Sequence, residues 1–116
     1  MPKNFSRSQR VADAVHQCLA RVIRGEFKDP RVGMITVLNV EMTPDLKHAK
    51  IYVSVLEEDK VSETIKVLNK AAGFFRAQIA NNIQLRVVPN PRFIFDDSVI
   101  RGNRIAQILE SVASVS

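Results

Sequence analysis

Apolar residues near the start of the chain recur at helical spacing and predict an amphipathic helix from about Ser8 to Arg24. The residues of its apolar face are Val11, Val15, Cys18, Leu19, Val22 and Ile23. Gly25 follows as the expected end of the helix, because glycine readily adopts the conformation that closes a helix. The opposite side carries Arg10, Arg21 and Arg24. We therefore expect a helix with one buried side and one basic, exposed side.

Two later segments alternate apolar and polar residues, which is the period of a strand with one buried face. The inward side of the first segment consists of Leu38, Val40 and Met42. The inward side of the second consists of Ala49, Ile51, Val53 and Val55. Between them, Pro44 and Asp45 are residue types that favour a turn. The pattern predicts an antiparallel hairpin.

A second helical stripe extends over residues 61–83, with Gly73 in its middle. Its apolar members are Val61, Ile65, Leu68, Ala72, Phe75, Ile79 and Ile83. A glycine inside a helix costs about 1 kcal/mol relative to alanine, so a local reason for it is expected. In one interpretation Gly73 lets another element pack closely, since the neighbouring alanines are also small. In the other, Gly73 kinks the chain and a second helix begins near Phe74 with free backbone N–H groups. The sequence alone leaves both interpretations open.

A third strand is predicted at Arg92–Asp96, after the strand-breaking segment Pro89–Pro91. Phe93 and Phe95 share one face of it and are expected to pack under the helices rather than stack on bases. A last helix follows, and Gly102 interrupts its start. Its apolar residues are Val99, Ile105, Ile108, Leu109 and Val112. The order α-β-β-α-α-β plus a terminal helix predicts an α+β fold, in which a helical layer covers one face of a three-stranded sheet and buries every apolar face.

Length and composition are those of a globular protein. The chain has 116 residues, of which 46% are hydrophobic, and we expect one domain over residues 1–116. No apolar stretch is long enough to span a membrane, and the N-terminus leads into an amphipathic helix rather than a signal peptide. The single cysteine, Cys18, excludes an internal disulfide and is typical of a reducing cytosol.

Charge is unevenly distributed along the chain. Residues 1–25 hold five basic residues and one acidic residue, and residues 64–95 hold five basic residues and no acidic one. The remainder holds seven basic and eleven acidic residues, although the whole chain has a net charge of +5. Such polarity steers association with a polyanion. The long segment without an acidic residue favours RNA or DNA binding over an ordinary solvated basic surface.

Residues that could carry out chemistry are few and scattered. His16 is expected on the first helix and His48 on the outer face of a strand, with no nucleophile or acid near either in the sequence. Cys18 belongs to an apolar face, where a buried, unreactive thiol is typical. Asp96 and Asp97 are adjacent, so their carboxylates should point apart at a strand end. The sequence also lacks a phosphate loop, a nucleotide fingerprint and a metal-ligand cluster. We therefore predict a non-enzymatic protein without a cofactor or a metal.

Seven segments, spread in order over nearly the whole chain, carry a more specific signal. They are Arg10-Val11, Lys28 to Arg31, Val40 to Leu46, Ala49 to Ser54, Ala71 to Arg76, Leu85 to Pro89 and Phe95 to Ser98. Together they resemble the ribosome-binding factor A family of bacterial small-subunit assembly factors. The resemblance implies a type II KH-like αββααβ fold. A KH domain usually clamps single strands through a G-x-x-G loop, which this sequence lacks. The family has an Ala-x-Gly kink instead, here Ala71-Ala72-Gly73, which favours recognition of the backbone and shape of folded rRNA.

The resemblance further implies a cytoplasmic factor that associates with the immature 30S subunit, near its neck and decoding region, and assists late maturation and processing of 16S rRNA. The expected partners are the 30S subunit and 16S rRNA, with other assembly factors as further candidates. No membrane is expected, and the protein is expected to be a monomer. The residues predicted to bind RNA are Arg7, Arg10, Arg21, Arg24, Lys66, Lys70, Ala71, Gly73, Arg76 and Arg86. A protein–protein adaptor with an acidic binding surface is the remaining alternative.

Overall fold

The computed structural model describes residues 7–27 and 29–115, and these residues form four α-helices and a three-stranded sheet. The elements are α1 (Arg7–Gly25), β1 (Ile35–Met42), β2 (His48–Val55), a short 3₁₀ turn (Glu58–Lys60), α2 (Val61–Lys70), α3 (Ala72–Asn82), β3 (Asn90–Phe95) and α4 (Ser98–Val115). Within the described part of the chain this order confirms the predicted α-β-β-α-α-β arrangement followed by a terminal helix.

The strands lie in the order β1-β2-β3, with β2 in the centre. β1 and β2 are antiparallel, which confirms the predicted hairpin, and β2 and β3 are parallel. A parallel pair requires a long crossover connection, and α2 and α3 provide it. The predicted inward residues of β2 are all buried: Ala49, Ile51, Val53 and Val55.

β1 departs from the predicted alternation of inward and outward residues. An extra residue, Leu38, stands between Val37 and Asn39, which both pair with β2. Such a bulge shifts the side chains that follow it to the other face relative to a regular strand. Val37 and Val40 are therefore the buried residues of β1. Leu38 and Met42, which were predicted to point inward with Val40, are only half-buried.

Helices α1, α2 and α3 cover one face of the sheet. α1 packs on β1 and on α3, while α2 and α3 pack on β3. The largest fully buried side chains of this core include Phe75, Phe93, Leu19, Ile51, Leu68 and Ile79. Removal of a buried phenylalanine side chain typically costs about 3–5 kcal/mol, so this layer is a main source of stability.

The free edge of β3 is closed by α2. β3 begins at Asn90, before its predicted start, and the Asn90 N–H donates to the Lys47 carbonyl on the β2 side at 2.8 Å. Backbone groups of successive strand residues point to opposite edges, so the nitrogen of Pro91 points to the free edge of the sheet. Proline lacks an N–H group, and at this edge no strand hydrogen bond is lost by that. At the next outward position, the Phe93 N–H donates to Asn69 Oδ1 at 2.8 Å and Asn69 Nδ2 donates to the Phe93 carbonyl at 3.0 Å. One amide side chain thus takes the place of a neighbouring strand.

The segment that leads into β1 is held against α2 and the 3₁₀ turn. The Gly33 N–H donates to the hydroxyl of the fully buried Thr64 at 3.0 Å, and the Glu57 carboxylate accepts the Met34 N–H at 3.1 and 3.2 Å. A Cβ atom at Gly33 would lie 2.9 Å from Glu57 Oε1. A larger residue at this position would therefore displace the Glu57 carboxylate from its bond with Met34.

α4 leaves much of its apolar surface exposed. It begins at Ser98 and continues through Gly102, so the glycine does not interrupt it. Four of its apolar side chains are 58–64% exposed: Ile105, Ile108, Leu109 and Val112. The Cα radius of gyration is 16.8 Å, compared with about 13 Å for a compact domain of this length. The prediction that the helical layer buries every apolar face is wrong for these four side chains, because α1–α3 already cover that face of the sheet. The side chain of Val99, which was predicted to belong to the same apolar face, lies outside the described residues.

Candidate nucleic-acid interface

The long helical stripe is broken between α2 and α3. Ala71 has φ −91° and ψ 16°, outside the α-helical region, and its N–H donates to both the Val67 and Leu68 carbonyls at 3.1 Å. The Phe75 N–H donates to the Ala71 carbonyl at 3.1 Å, in the first turn of the new helix. The kink interpretation of Gly73 expected a break in this stripe, and the structure has one at Ala71, with α3 beginning at Ala72 rather than near Phe74. That this break is the Ala-x-Gly kink of the family stays a prediction.

The break is not centred on Gly73. No glycine among the described residues has a positive φ, and Ala71 adopts a conformation that alanine tolerates. A Cβ atom on Gly73 would meet no atom within 4 Å, so close packing within the chain does not require glycine either. Close packing within the chain is thus not the reason for this glycine, and a role of Gly73 in the kink stays a prediction. The break instead lets α2 and α3 apply two separate apolar faces to the core, through Leu68 and Phe75 respectively.

The predicted basic residues are distributed over three helices and one loop. Arg7, Arg10, Arg21 and Arg24 lie on α1, Lys66 and Lys70 on α2, Arg76 on α3, and Arg86 in the loop before β3. Every one of them is exposed. None forms an ion pair with a carboxylate within the part of the chain that the structure describes. These cations are therefore available to an external anion.

The structure brings part of this set together. Arg21 donates to Asn82 Oδ1 at 3.4 Å, which places the second half of α1 beside the end of α3. Lys70 and Gly73 flank the break at Ala71. Arg10 lies about 20 Å from Arg24 along α1, at 1.5 Å per residue, so the first turns of α1 form a separate end of the surface.

An aromatic cluster beside the break was not predicted from the sequence. Phe27, which follows α1, has its ring centroid 6.1 Å from that of Phe74 and 5.0 Å from that of Phe75. Phe75 in turn lies 4.9 Å from Phe93 of β3. Phe75 and Phe93 are buried, whereas Phe74 is 39% exposed. The adjacent pair Phe74-Phe75 was the available signal, since neighbouring helix positions point about 100° apart and the second of two bulky rings can remain at the edge of the core.

Several acidic residues are engaged in bonds within the chain. Asp29 Oδ1 accepts the Arg31 Nε–H at 3.0 Å and the Arg31 backbone N–H at 2.9 Å, and Asp29 Oδ2 lies 2.7 Å from Arg31 Nη2. These bonds from Arg31 lower the pKa of Asp29 to about 2. Glu58 pairs with Arg104 of α4 at 3.6 Å. Lys28, the first residue of the segment Lys28 to Arg31 that resembles the family, lies outside the described residues.

Four of the residues considered for chemistry have structural roles: His16, Cys18, Asp96 and Asp97. His16 Nε2 lies 3.1 Å from the Val37 carbonyl oxygen. Cys18 is buried, and burial raises the pKa of its thiol, which disfavours the reactive thiolate. Asp96 Oδ1 accepts the Ser98 N–H at 2.8 Å, and Asp97 pairs with Arg101 at 2.9 Å, so both carboxylates serve the start of α4.

The residues 7–27 and 29–115 offer neither a metal site nor a membrane-spanning helix. No group of histidine, cysteine and acidic residues there could hold a metal ion. In the same ranges no helix is both long and apolar enough to cross a bilayer.

Sequence comparison identifies the family of this molecule. The sequence model of the ribosome-binding factor A family matches residues 7–109. The chain belongs to this family. A ribosome-binding factor A of Pseudomonas syringae is 45% identical over 113 residues, which cover 95% of this chain and 82% of that protein. One of Chromohalobacter salexigens is 45% identical over 115 residues, 97% of this chain and 88% of that protein. The family is named for ribosome binding and not for an enzymatic activity.

Solved structures of ribosome-binding factor A proteins have the same α+β, KH-like fold. The crystal structure from Thermus thermophilus has a TM-score of 0.68 at 22% identity and covers 77% of this chain and 96% of its own. The solution structure of a putative member from Thermotoga maritima has a TM-score of 0.55 at 29% identity, over 80% and 91%. A Thermus thermophilus model fitted into a map of its complex with the 30S subunit also matches, with a TM-score of 0.68 at 22% identity, over 79% and 97%.

Proposed function

We propose that this chain is a cytoplasmic, monomeric factor that binds the immature 30S subunit and assists the late maturation and processing of 16S rRNA. The observation that carries the proposal is the set of exposed, unpaired basic residues on α1, α2 and α3. Cations of this kind bind phosphates and release counterions from RNA, which supplies most of the sequence-independent affinity. The complex of the Thermus thermophilus relative with its 30S subunit supports the same partner here.

The break between α2 and α3 is the proposed centre of the site. The first N–H groups of α3 have no acceptor within the helix, and they carry the positive end of its dipole. Gly73 is exposed in this first turn and has no Cβ atom, so an rRNA phosphate can approach the backbone closely. Lys70 precedes the break and Arg76 follows it. We therefore attribute the glycine at position 73 to the close approach of the RNA, since the fold of the isolated chain does not require it.

A double substitution tests this site. Lys70→Ala with Arg76→Ala should weaken cosedimentation with free 30S subunits and lower the salt slope of binding by about one per lost phosphate contact. Folding should change little, since exposed substitutions usually cost within about 0.5 kcal/mol. The matched control is Lys50→Ala with Arg101→Ala, which removes the same charge from residues already paired with Glu41 and Asp97. If the two double variants bind the subunit with equal affinity, the helix break is not part of the binding site.

The adaptor alternative has less support in this structure. Glu57, Glu58, Asp96 and Asp97 all bind groups of the same chain, so they are not free to form an acidic docking surface. Salt also separates the two functions. RNA affinity falls steeply with added salt, whereas a mainly apolar protein interface is much less sensitive.

A further inference from the structure

The phenyl ring of Phe74 is fixed in place and open on one side. Its centroid lies 6.1 Å from that of Phe27 at an interplanar angle of 38°, and 5.2 Å from that of Phe75 at 75°. These two contacts hold the ring, yet 39% of the residue remains exposed. The adjacent Gly73 and Ala77, one turn further along α3, are both exposed and too small to cover it.

Two exposed basic residues belong to the segments that meet at this ring. Lys70 lies four residues before Phe74, across the break at Ala71. Arg24 and Phe27 line the same groove at the end of α1. Both basic side chains are exposed, and neither pairs with a carboxylate among the described residues. An open aromatic ring beside unpaired cations is the combination that proteins use for single-stranded nucleic acid, in which cations follow the phosphates and the ring stacks on a base.

Other exposed apolar residues of the described chain lack this chemistry. Met34, Leu56, Val87 and the α4 residues have aliphatic side chains, which offer no aromatic face. Tyr52 is half-buried on the sheet, and its hydroxyl lies 3.3 Å from Glu41 Oε1, in surroundings that are not cationic overall. Among these exposed residues, Phe74 is therefore the one that offers an aromatic face.

We propose that Phe74 is a stacking site for an unpaired RNA base. The proposal rests on the RNA binding proposed above and narrows the ligand, because bases inside a duplex are stacked on each other and present no face to a side chain. The preferred RNA is then a single-stranded or bulged segment, whose phosphates contact Lys70 and Arg24 while one base covers the ring. Recognition is by the face of the base, so it tolerates different sequences.

The test uses the full chain and three RNA probes: a short single-stranded RNA of mixed sequence, its duplex with the complement, and an abasic ribose-phosphate oligomer of the same length. Phe74→Leu keeps the apolar volume and removes the ring. It should weaken binding of the single strand about 5- to 100-fold, the loss expected for one base stack. Binding of the duplex and of the abasic oligomer should stay within twofold of the unmodified chain. Phe74→Tyr keeps the ring and should retain the affinity for the single strand.

Fluorescence gives a second, independent readout. The chain has no tryptophan, so Phe74→Trp places a single indole at the site. Stacking on a base should quench it with the single strand and not with the abasic oligomer. Val87→Trp, at an exposed position outside the helices, is the control and should show no base-dependent quenching.

The outcomes separate this inference from the proposed function. If Phe74→Leu binds the single strand normally while the Lys70 and Arg76 double variant loses binding, RNA recognition stands and the stacking site is overturned. Equal losses for Phe74→Leu and Phe74→Tyr, or equal losses on all three probes, also overturn it, because they indicate a structural role for the residue. If the unmodified chain binds neither RNA nor 30S subunits, the proposed function fails.

Discussion

Helices α3 and α4 have similar ingredients and very different surroundings. Each has apolar residues at helical spacing, one glycine and at least one arginine. α3 buries Phe75 completely and leaves Arg76 without an acidic partner. α4 exposes four of its apolar side chains and pairs Arg101 and Arg104 with acidic residues.

The difference shows what makes a basic helix available to RNA. An arginine already paired with a carboxylate must give up that interaction before it binds a phosphate, and its local field is neutralised. An arginine without a partner loses only its hydration. The unpaired arginine of α3 can thus belong to an RNA-binding surface, whereas the arginines of α4 form contacts within the chain.

The largest expected difference between the two helices is in stability. Phe75→Ala should lower the free energy of unfolding by about 3–5 kcal/mol, because it leaves a cavity in the core. Leu109→Ala on α4 should change it by no more than about 0.5 kcal/mol, since that side chain is largely exposed. Equilibrium unfolding in urea measures both. Similar losses for the two variants would show that α4 is covered in solution.

The next largest effect concerns the amide that closes the sheet edge. Asn69→Ala should cost about 1–3 kcal/mol, because the backbone N–H and carbonyl of Phe93 both lose their partner in a half-buried position. Gln107→Ala, which removes an exposed amide from α4, is the matched control and should be nearly neutral. Urea unfolding again distinguishes them. A neutral Asn69→Ala would mean that water replaces the amide at this edge.

Two glycines give a smaller and more pointed comparison. A Cβ atom at Gly73 or at Gly102 would meet nothing within 4 Å, and neither φ is positive, so alanine should favour the helix by up to about 1 kcal/mol at each. Gly73→Ala should raise the unfolding midpoint of the whole fold. Gly102→Ala should raise only the helical circular dichroism signal, because α4 is not packed in the core.

Binding of 30S subunits then reports on the approach of the ligand. We expect Gly73→Ala to weaken it despite the added stability, and Gly102→Ala to leave it unchanged. If Gly73→Ala binds 30S subunits as well as the unmodified chain, the RNA does not approach the backbone closely at Gly73.

The smallest effect is expected from pH. The folded state lowers the pKa of Asp29 to about 2, through bonds donated by Arg31. A lowered pKa contributes stability that is present above the unfolded value of about 3.9 and is lost as the pH falls through the folded value. Between about pH 4 and about pH 2, the unmodified chain should therefore lose more stability than Asp29→Asn. Identical acid unfolding curves would show that the exposed pair with Arg31 does not stabilise the fold.

Much of the architecture could be predicted from the sequence because periodicity reports directly on it. The apolar stripe of α1 and the alternation in β2 each have one period and one buried side, and both predictions are confirmed. The absence of acidic residues over residues 64–95 likewise located the unpaired cations of α2 and α3. The assignment of these residues to RNA binding remains a prediction, since the structure shows their exposure and not their ligand.

The sequence by itself determined the order of the elements, the side of each that is apolar and the segments that are basic, because these depend on residue types and spacing along one element. Tertiary structure decided what each side meets. The bulge at Leu38, the helix break at Ala71, the amide of Asn69 on the β3 edge and the exposed α4 all depend on how much sheet surface is available and which element reaches it first. The bulge, the Asn69 contact and the exposure of α4 depend on residues distant in the chain, and no local period encodes them.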